Sequence, residues 1–350
     1  MGWKIRQMNN RNYILGYPIL LTVLLILILF SLVVGNYKEI TPKDVFLVLF
    51  SYISKNETSV PKTIQLIVFN IRIPRTLSAL IIGSALAVAG CCYQEVFRND
   101  LASPDILGVS SGACVGAALG IIMGVNAIAI QTLSFVVGLL TVLLVYFLTY
   151  IIKGNTTLSL VVSGMLISGL MNSILGFIKY TANPETELPS IVYWTMGDIS
   201  SIKDIQLKIV GIPIIICMLV LFLLRWRLNY FGLSDSEAIS MGINIKILRI
   251  IVIILSTILV GCAVSVAGTI SWIGLVIPHL IKTVFGKNTM YSYPFSLISG
   301  AAFLLAIDIV GRIISTSELP LSILTGIFGI VVFLLCLFIG RVGNGAFKNR

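Results

Sequence analysis

Three arginines, one aspartate and one histidine stand out chemically in a sequence that is otherwise apolar. Arg72 and Arg75 flank Pro74 at the start of an apolar run. Arg312 follows Asp308 by four residues, a spacing that puts both on one helix face. Guanidinium groups so placed suit two jobs: anchoring at lipid headgroups, or bidentate recognition of carboxylates on another molecule. Asp308 is the one clear acid inside an apolar run, so the ladder of buried carboxyls expected of a proton-coupled carrier is missing. His279 is the only histidine, and one imidazole makes no multi-ligand metal site. Its place after Pro278 fits a structural, hydrogen-bonded role better than a proton relay. Cys91, Cys92, Cys114, Cys217, Cys262 and Cys336 all lie in apolar stretches without Cys-x-x-Cys or Cys/His spacing, so they read as packing residues. Gly286-Lys287-Asn288 lacks both the spacing and the hydroxyl of a phosphate-binding loop. The inventory therefore holds no catalytic residues, no metal ligands and no cofactor site, and any ATP-driven step needs its engine on another chain.

The elements that position these residues are membrane helices. Only 11% of residues are charged, against about 25% in soluble domains, and the mean hydropathy is +1.04. Lipid demands that every backbone group be satisfied within helices or a closed barrel. The apolar runs are long and continuous rather than alternating, which excludes a barrel. The pattern predicts an all-α polytopic membrane protein with about ten spans, near 14–35, 70–95, 108–125, 128–150, 158–179, 206–226, 246–268, 271–286, 296–313 and 320–340. The first run is too long for a signal peptide and reads as a retained helix. The polar connections, 36–69, 180–205 and 227–245, are too short for an ATPase, so residues 1–350 read as a single transmembrane domain. The net charge of +10 comes from basic residues at the ends of apolar runs, not from a basic stripe with interleaved aromatics, which excludes nucleic acid as a partner. Lys153, Arg225, Arg227, Lys246, Arg249, Lys282 and Lys287 fall on one side, which the positive-inside rule makes cytosolic, together with both termini.

Two polar segments on that side carry local signals. Ser234 and Glu237 have the spacing of a capping box, and Gly242 suits a left-handed helix end. They predict a short helix over 235–241, either a structured loop or a lever that docks into a partner's groove. In Arg98–Gly112, Pro104 biases Ser103 away from helix, and Gly108 and Gly112 loosen the start of the next span. This segment is either a tight turn or an irregular backbone lining a pore mouth. Gly112, Gly116 and Gly120 form a small-residue stripe expected to serve close helix packing.

Together these blocks resemble the FecCD permease family, the membrane subunits of ABC importers for ferric siderophores, haem and vitamin B12. The resemblance covers nearly all the chain after residue 65. It rests on Arg72-Ile73-Pro74-Arg75 with Gly83, Ala87, Gly90 and Gln94; on Arg98 to Ala113; on Leu233 to Gly242; and on Gly268 to His279, extended by Gly286, Pro294, Gly300, Asp308, Arg312, Leu319-Pro320 and Gly329. The chain departs from the family pattern at Asp100, where proline is usual, and at Lys282, where arginine is common. Ser322 and Val331 replace a glycine and a proline.

The resemblance implies a type II ABC importer permease fold of ten helices. It implies two cytosolic ABC ATPase subunits, an extracytoplasmic substrate-binding protein and a second permease copy or paralogue in the bilayer. It makes Arg72, Arg75 and Arg312 docking residues for glutamates of the binding protein. Ser234, Glu237, Ala238, Met241 and Gly242 become the ATPase-coupling helix, about 233–242. Asn99 and Leu101 become one cytosolic gate, and Thr156 and Thr157 a second. The cargo expected first is a ferric siderophore, then haem, then vitamin B12. The rival classes are an ion-coupled secondary transporter, which would work without an ATPase, and a membrane-embedded enzyme, for which the residues are lacking.

Overall fold

The computed structural model describes residues 10–35, 40–54, 60–152, 157–233, 235–315 and 319–345. These residues are helical throughout, joined by turns. In chain order the helices are α1 (Asn10–Val33), α2 (Pro42–Ser54), α3 (Lys62–Ile67), α4 (Ile73–Val96), α5 (Val109–Ile122), α6 (Ala127–Ile151) and α7 (Thr157–Thr181). They continue as α8 (Glu187–Met196), α9 (Asp204–Leu228), α10 (Asp235–Ser240), α11 (Ile245–Ala267), α12 (Ile273–Phe285), α13 (Thr289–Ile314) and α14 (Leu321–Gly345). Among the described residues, 8 helical segments are long and apolar enough to cross a membrane, and α5 and α12 are shorter apolar helices. These fill the ten expected segments, with one physical difference. α5 has 14 residues and α12 has 13, so each rises about 20 Å, short of a ~30 Å hydrocarbon core. Residues with positive φ bound both: Gly108 (72°) before α5, and Trp272 (71°) and Gly286 (90°) around α12.

α4 is the axis of the bundle. It touches α13, α11, α12 and α9, and most of its side chains are buried. The sequence permits this through small residues. Gly83 lies against the Gly300 carbonyl of α13, and Gly90 against the Gly274 carbonyl of α12, so closely that a Cβ at either position would collide with backbone. The Gly112 and Gly116 stripe does the same between α5 and α6, where Cβ atoms would strike Thr141 and the Leu133 carbonyl. Without a hydrophobic drive between helices in lipid, such close backbone approach is what holds them together. The outward faces of α1, α6, α7, α9 and α14 expose Ile, Leu, Val and Phe, as lipid requires.

The 36–69 connection is more structured than its polar reading predicts. α2 buries Val45 and Val48 in a small core with Leu32, Val60 and Val68. α3 then runs without a break through a π-helical turn, Val68–Arg72, into α4. Pro74 explains that turn. Its ring nitrogen cannot donate to the carbonyl four residues back, so the wider hydrogen-bond ring takes over for one turn. The 180–205 connection contains α8. Where α8 ends, Asp198 N donates to Ala267 O (2.8 Å), Thr269 Oγ1 to Thr195 O (2.6 Å) and Leu321 N to Gly197 O (3.0 Å), which fixes the break between α11 and α12.

Candidate docking, gate and coupling sites

The 24 residues of α4 rise about 36 Å and join two polar sites. At its first end the π turn aims Arg72 at the end of α1. Arg72 donates to the carbonyls of Leu32 (2.6 Å) and Val33 (2.8 Å). From α13, Arg312 donates to the carbonyls of Ser31 and Val34 (both 2.9 Å) and to Ser31 Oγ (2.6 Å). The last carbonyls of a helix have no partner within it, and here two guanidinium groups cap them. Asp308, with its side chain fully buried, pairs with Arg75 (2.8 Å) and Arg312 (2.7 Å). The same-face spacing of Asp308 and Arg312 is thus realised as an ion pair. Arg72 is 3% exposed, and the side chains of Arg75 and Arg312 are 13% and 6% exposed. The three arginines line one opening of about 90 Å³ with Gly35, Gly311 and Leu319. The sequence pointed to the three arginines, but it carried no signal that the π turn would turn Arg72 inward.

At the other end, α4 closes with a Schellman motif. Arg98 N donates to Glu95 O (3.1 Å) and Asn99 N to Gln94 O (3.1 Å), with Arg98 at φ 50°. Asn99 Oδ1 then accepts from Leu101 N (3.0 Å), so Asn99 and Leu101 share one exposed turn. Ser103 is extended and its hydroxyl accepts from Asp105 N (3.3 Å), opening a 3-10 turn over Pro104–Leu107, as the proline predicted. Thr157 is the half-buried first residue of α7, on a separate element. Thr156 lies outside the described residues.

An ion-pair network that sequence reasoning missed fixes this turn to α12. Lys282, its side chain 3% exposed, pairs with Glu95 at 2.7 Å and reaches Asp100 at 3.8 Å; Lys287 pairs with Asp100 at 2.5 Å. The available signal was that Asp100 and Lys282, both departures from the family pattern, are opposite in charge. Burial alone would raise the Asp100 carboxyl. The hydrogen bond from Lys287 and the charges of Lys282, Lys287 and His279 outweigh it and hold the group below the usual carboxylate range. His279 stands beside Asp100 with its ring 5.6 Å from that of Phe333.

α10 projects beside this turn. Glu237 and Met241 are exposed, Ala238 is fully buried, and Gly242 takes φ 76° to end the helix. Ile243 N returns to Ala238 O (3.0 Å) across that glycine. Ser234 lies outside the described residues. The lead-in to α10 is braced on both flanks. Asn229 Oδ1 accepts from Thr289 N (2.9 Å) and Asn229 Nδ2 donates to Asn288 Oδ1 (3.2 Å). On the other flank, Arg98 Nη2 donates to Leu233 O (2.7 Å).

The sequence pattern of the FecCD transport family matches residues 23–339. This chain belongs to the FecCD family. Curated relatives include the molybdate import system permease protein MolB of Haemophilus influenzae, 37% identical over 77% of this chain and 80% of that protein. A probable iron chelatin transport system permease of Helicobacter pylori is 39% identical over 79% and 83%. The hemin transport system permease HmuU of Yersinia pestis is 34% identical over 76% and 81%. A solved structure described as an inward-facing metal-chelate type ABC transporter superposes with a TM-score of 0.81 at 34% identity, covering 91% of this chain and 97% of that one. This FecCD chain is therefore a multi-pass integral membrane permease subunit of an ABC importer. The relatives name molybdate as well as iron chelates and haem, a wider range of cargo than the sequence reading foresaw.

Proposed function

We propose that the chain is the conduit of an ATP-driven importer that carries a ferric siderophore across the cytoplasmic membrane. Hydrolysis is performed by two separate ATPase subunits, and a second permease copy completes the path. The observation that carries this reading is the family match over 23–339 in a chain without a phosphate-binding loop, joined to a glycine-capped helix exposed between α9 and α11. α10 is the coupling helix: Glu237 and Met241 face the ATPase groove, and Ala238 seats the helix on the bundle. The α10 end, with both termini, is cytosolic.

The arginine end receives the binding protein. Three guanidinium groups gather with Asp308 around one opening. Bonds to α1 carbonyls hold Arg72 and Arg312 in fixed places, and the fixed guanidinium charges attract incoming carboxylates. Asn99 and Leu101 form one gate and Thr156 and Thr157 the second. A ferric chelate is favoured because the relative named for iron chelatin is 39% identical over 79% of the chain, against 37% over 77% for the one named for molybdate. The conduit binds its cargo weakly, as one-way passage requires.

The test is uptake by vesicles holding the permease, its ATPases and its binding protein, challenged with ⁵⁵Fe-loaded siderophore, haem, vitamin B12 and ⁹⁹Mo-molybdate. ATP-dependent ⁵⁵Fe accumulation is expected. Accumulation of molybdate alone refutes the cargo, and uptake without the ATPases refutes the mechanism. Gly242→Trp combined with Glu237→Ala is expected to lose ATPase co-purification. Charge reversal of Arg72, Arg75 and Arg312 to glutamate is expected to lose binding-protein capture.

A further inference from the structure

The ends of α4 and α10 close through the same left-handed turn on different residues. α10 ends on Gly242, as backbone sterics prefer. α4 ends on Arg98 at φ 50°, a left-handed conformation that strains any residue with a Cβ. An arginine held where glycine fits better is an outlier that asks for a reason. Its guanidinium supplies one: it donates to Leu233 O at 2.7 Å, two residues before α10 begins at Asp235. Directly after Arg98 come Asn99 and Leu101 at the gate turn, and Asp100, whose carboxylate ties to Lys287. Asn288, next to Lys287, bonds back to Asn229 at the start of the same lead-in. The contacts therefore close a ring: Leu233 to Arg98, through the turn to Asp100, across to Lys287 and Asn288, and back to Asn229.

We propose that Arg98 is the positioning residue that transmits displacement of α10 to the gate turn, and that the Asp100–Lys287 pair passes the same displacement to the end of α12. This rests on the reading of α10 as the coupling helix. A helix pushed by its partner moves Leu233 first, and a short charge-assisted bond to a backbone carbonyl carries the motion without depending on any side chain of the lead-in. The left-handed residue sits directly between that bond and Asn99, so rotation at Arg98 turns the gate.

The experiment uses the complete importer in nanodiscs with Leu101→Cys as a reporter. Leu101 is exposed, and the six native cysteines are buried, so a membrane-impermeant maleimide reads position 101. Its labelling rate is compared without nucleotide and after trapping with ATP and vanadate. With Arg98 present, the two rates should differ at least fivefold. Arg98→Gly relieves the backbone strain and leaves thermal stability intact, yet should bring that ratio below twofold while the ATPases stay bound and hydrolyse ATP. Arg98→Lys, which keeps a donor, should recover part of the ratio. A full nucleotide response in Arg98→Gly overturns the proposal, as does loss that Arg98→Lys does not repair at all. Gly242→Trp separates the two ideas. If it releases the ATPases while Arg98→Gly keeps its response, only the relay falls. If it leaves the ATPases bound and the response unchanged, the coupling reading falls and the relay with it.

Discussion

The two ends of α4 solve the same problem with opposite chemistry. At the first end, guanidinium groups are spent on backbone carbonyls of α1, and one buried carboxylate serves two arginines. At the second end, two lysines meet two carboxylates in a chain, from the nearly closed Glu95–Lys282 contact, through Lys282–Asp100, to the open Asp100–Lys287 contact. Arginine's planar fork can hold two acceptors in fixed directions, whereas an ammonium is a point charge that can change partner. The first end is thus a fixed junction of three helices, and the second is a set of contacts graded from buried to wet. The former property suits the proposed docking platform and the latter the proposed gate.

Substitutions can break that contrast, and the effects should fall in order of burial. Asp308→Ala leaves Arg75 and Arg312 without their shared carboxylate. Breaking a buried pair from one side costs about 3–5 kcal/mol, so thermal unfolding in detergent should shift further for this variant than for any other discussed here, and much of the protein should fail to fold. Asp308→Asn, which keeps an acceptor, should recover part of the loss. Lys282→Ala at the second end strands Glu95, which is more exposed than Asp308. The cost should be nearer about 1.5–3 kcal/mol, the range for a hydrogen bond to a charged group. If both variants cost the same, the distinction between a fixed and a graded end is wrong.

Asp100→Asn tests the wet contact, where Lys287 is 61% exposed. Such pairs contribute up to about 1 kcal/mol. Because the Asp100 carboxyl is held below its ordinary value, its contribution is present above about pH 4 and is lost as pH falls through the lowered value. The stability difference between the natural chain and Asp100→Asn should therefore be level near neutrality and close below about pH 4. A difference that instead grows on acidification would show that the carboxylate is not stabilised there. Arg98→Gly should change stability least, within about 1 kcal/mol, since the gain of glycine at the left-handed cap offsets the loss of the exposed bond to Leu233 O.

Much of this was legible in the residues, for identifiable reasons. The spans follow from apolar runs bounded by glycine, proline and basic residues, and the end of α10 from Gly242. Ser103 follows from Pro104, because a proline acts on its direct neighbour. What escaped was set by tertiary geometry. The Glu95–Lys282 and Asp100–Lys287 pairs join residues far apart in sequence, and neither partner alone announces the other. The inward turn of Arg72 depends on a π turn that needs both Pro74 and the waiting carbonyls of α1. α5 and α12 are shorter than the segments 108–125 and 271–286 read from the sequence, because hydropathy does not sense where positive-φ residues such as Gly108, Trp272 and Gly286 end a helix. α2 was hidden because its 13 residues are too few to cross a membrane and its buried Val45 and Val48 find their partner Leu32 on α1.

The seams along α4 have a mechanical corollary. Where Gly83 meets Gly300 and Gly90 meets Gly274, backbone lies on backbone, with no side chain between the helices to change rotamer. Sliding one such helix past another would mean climbing over the neighbour's carbonyls. α4, α12 and α13 should therefore move as one rigid block. Deformation is left to open positions such as the left-handed glycines Gly124 and Gly242, where a Cβ would meet nothing within 4 Å.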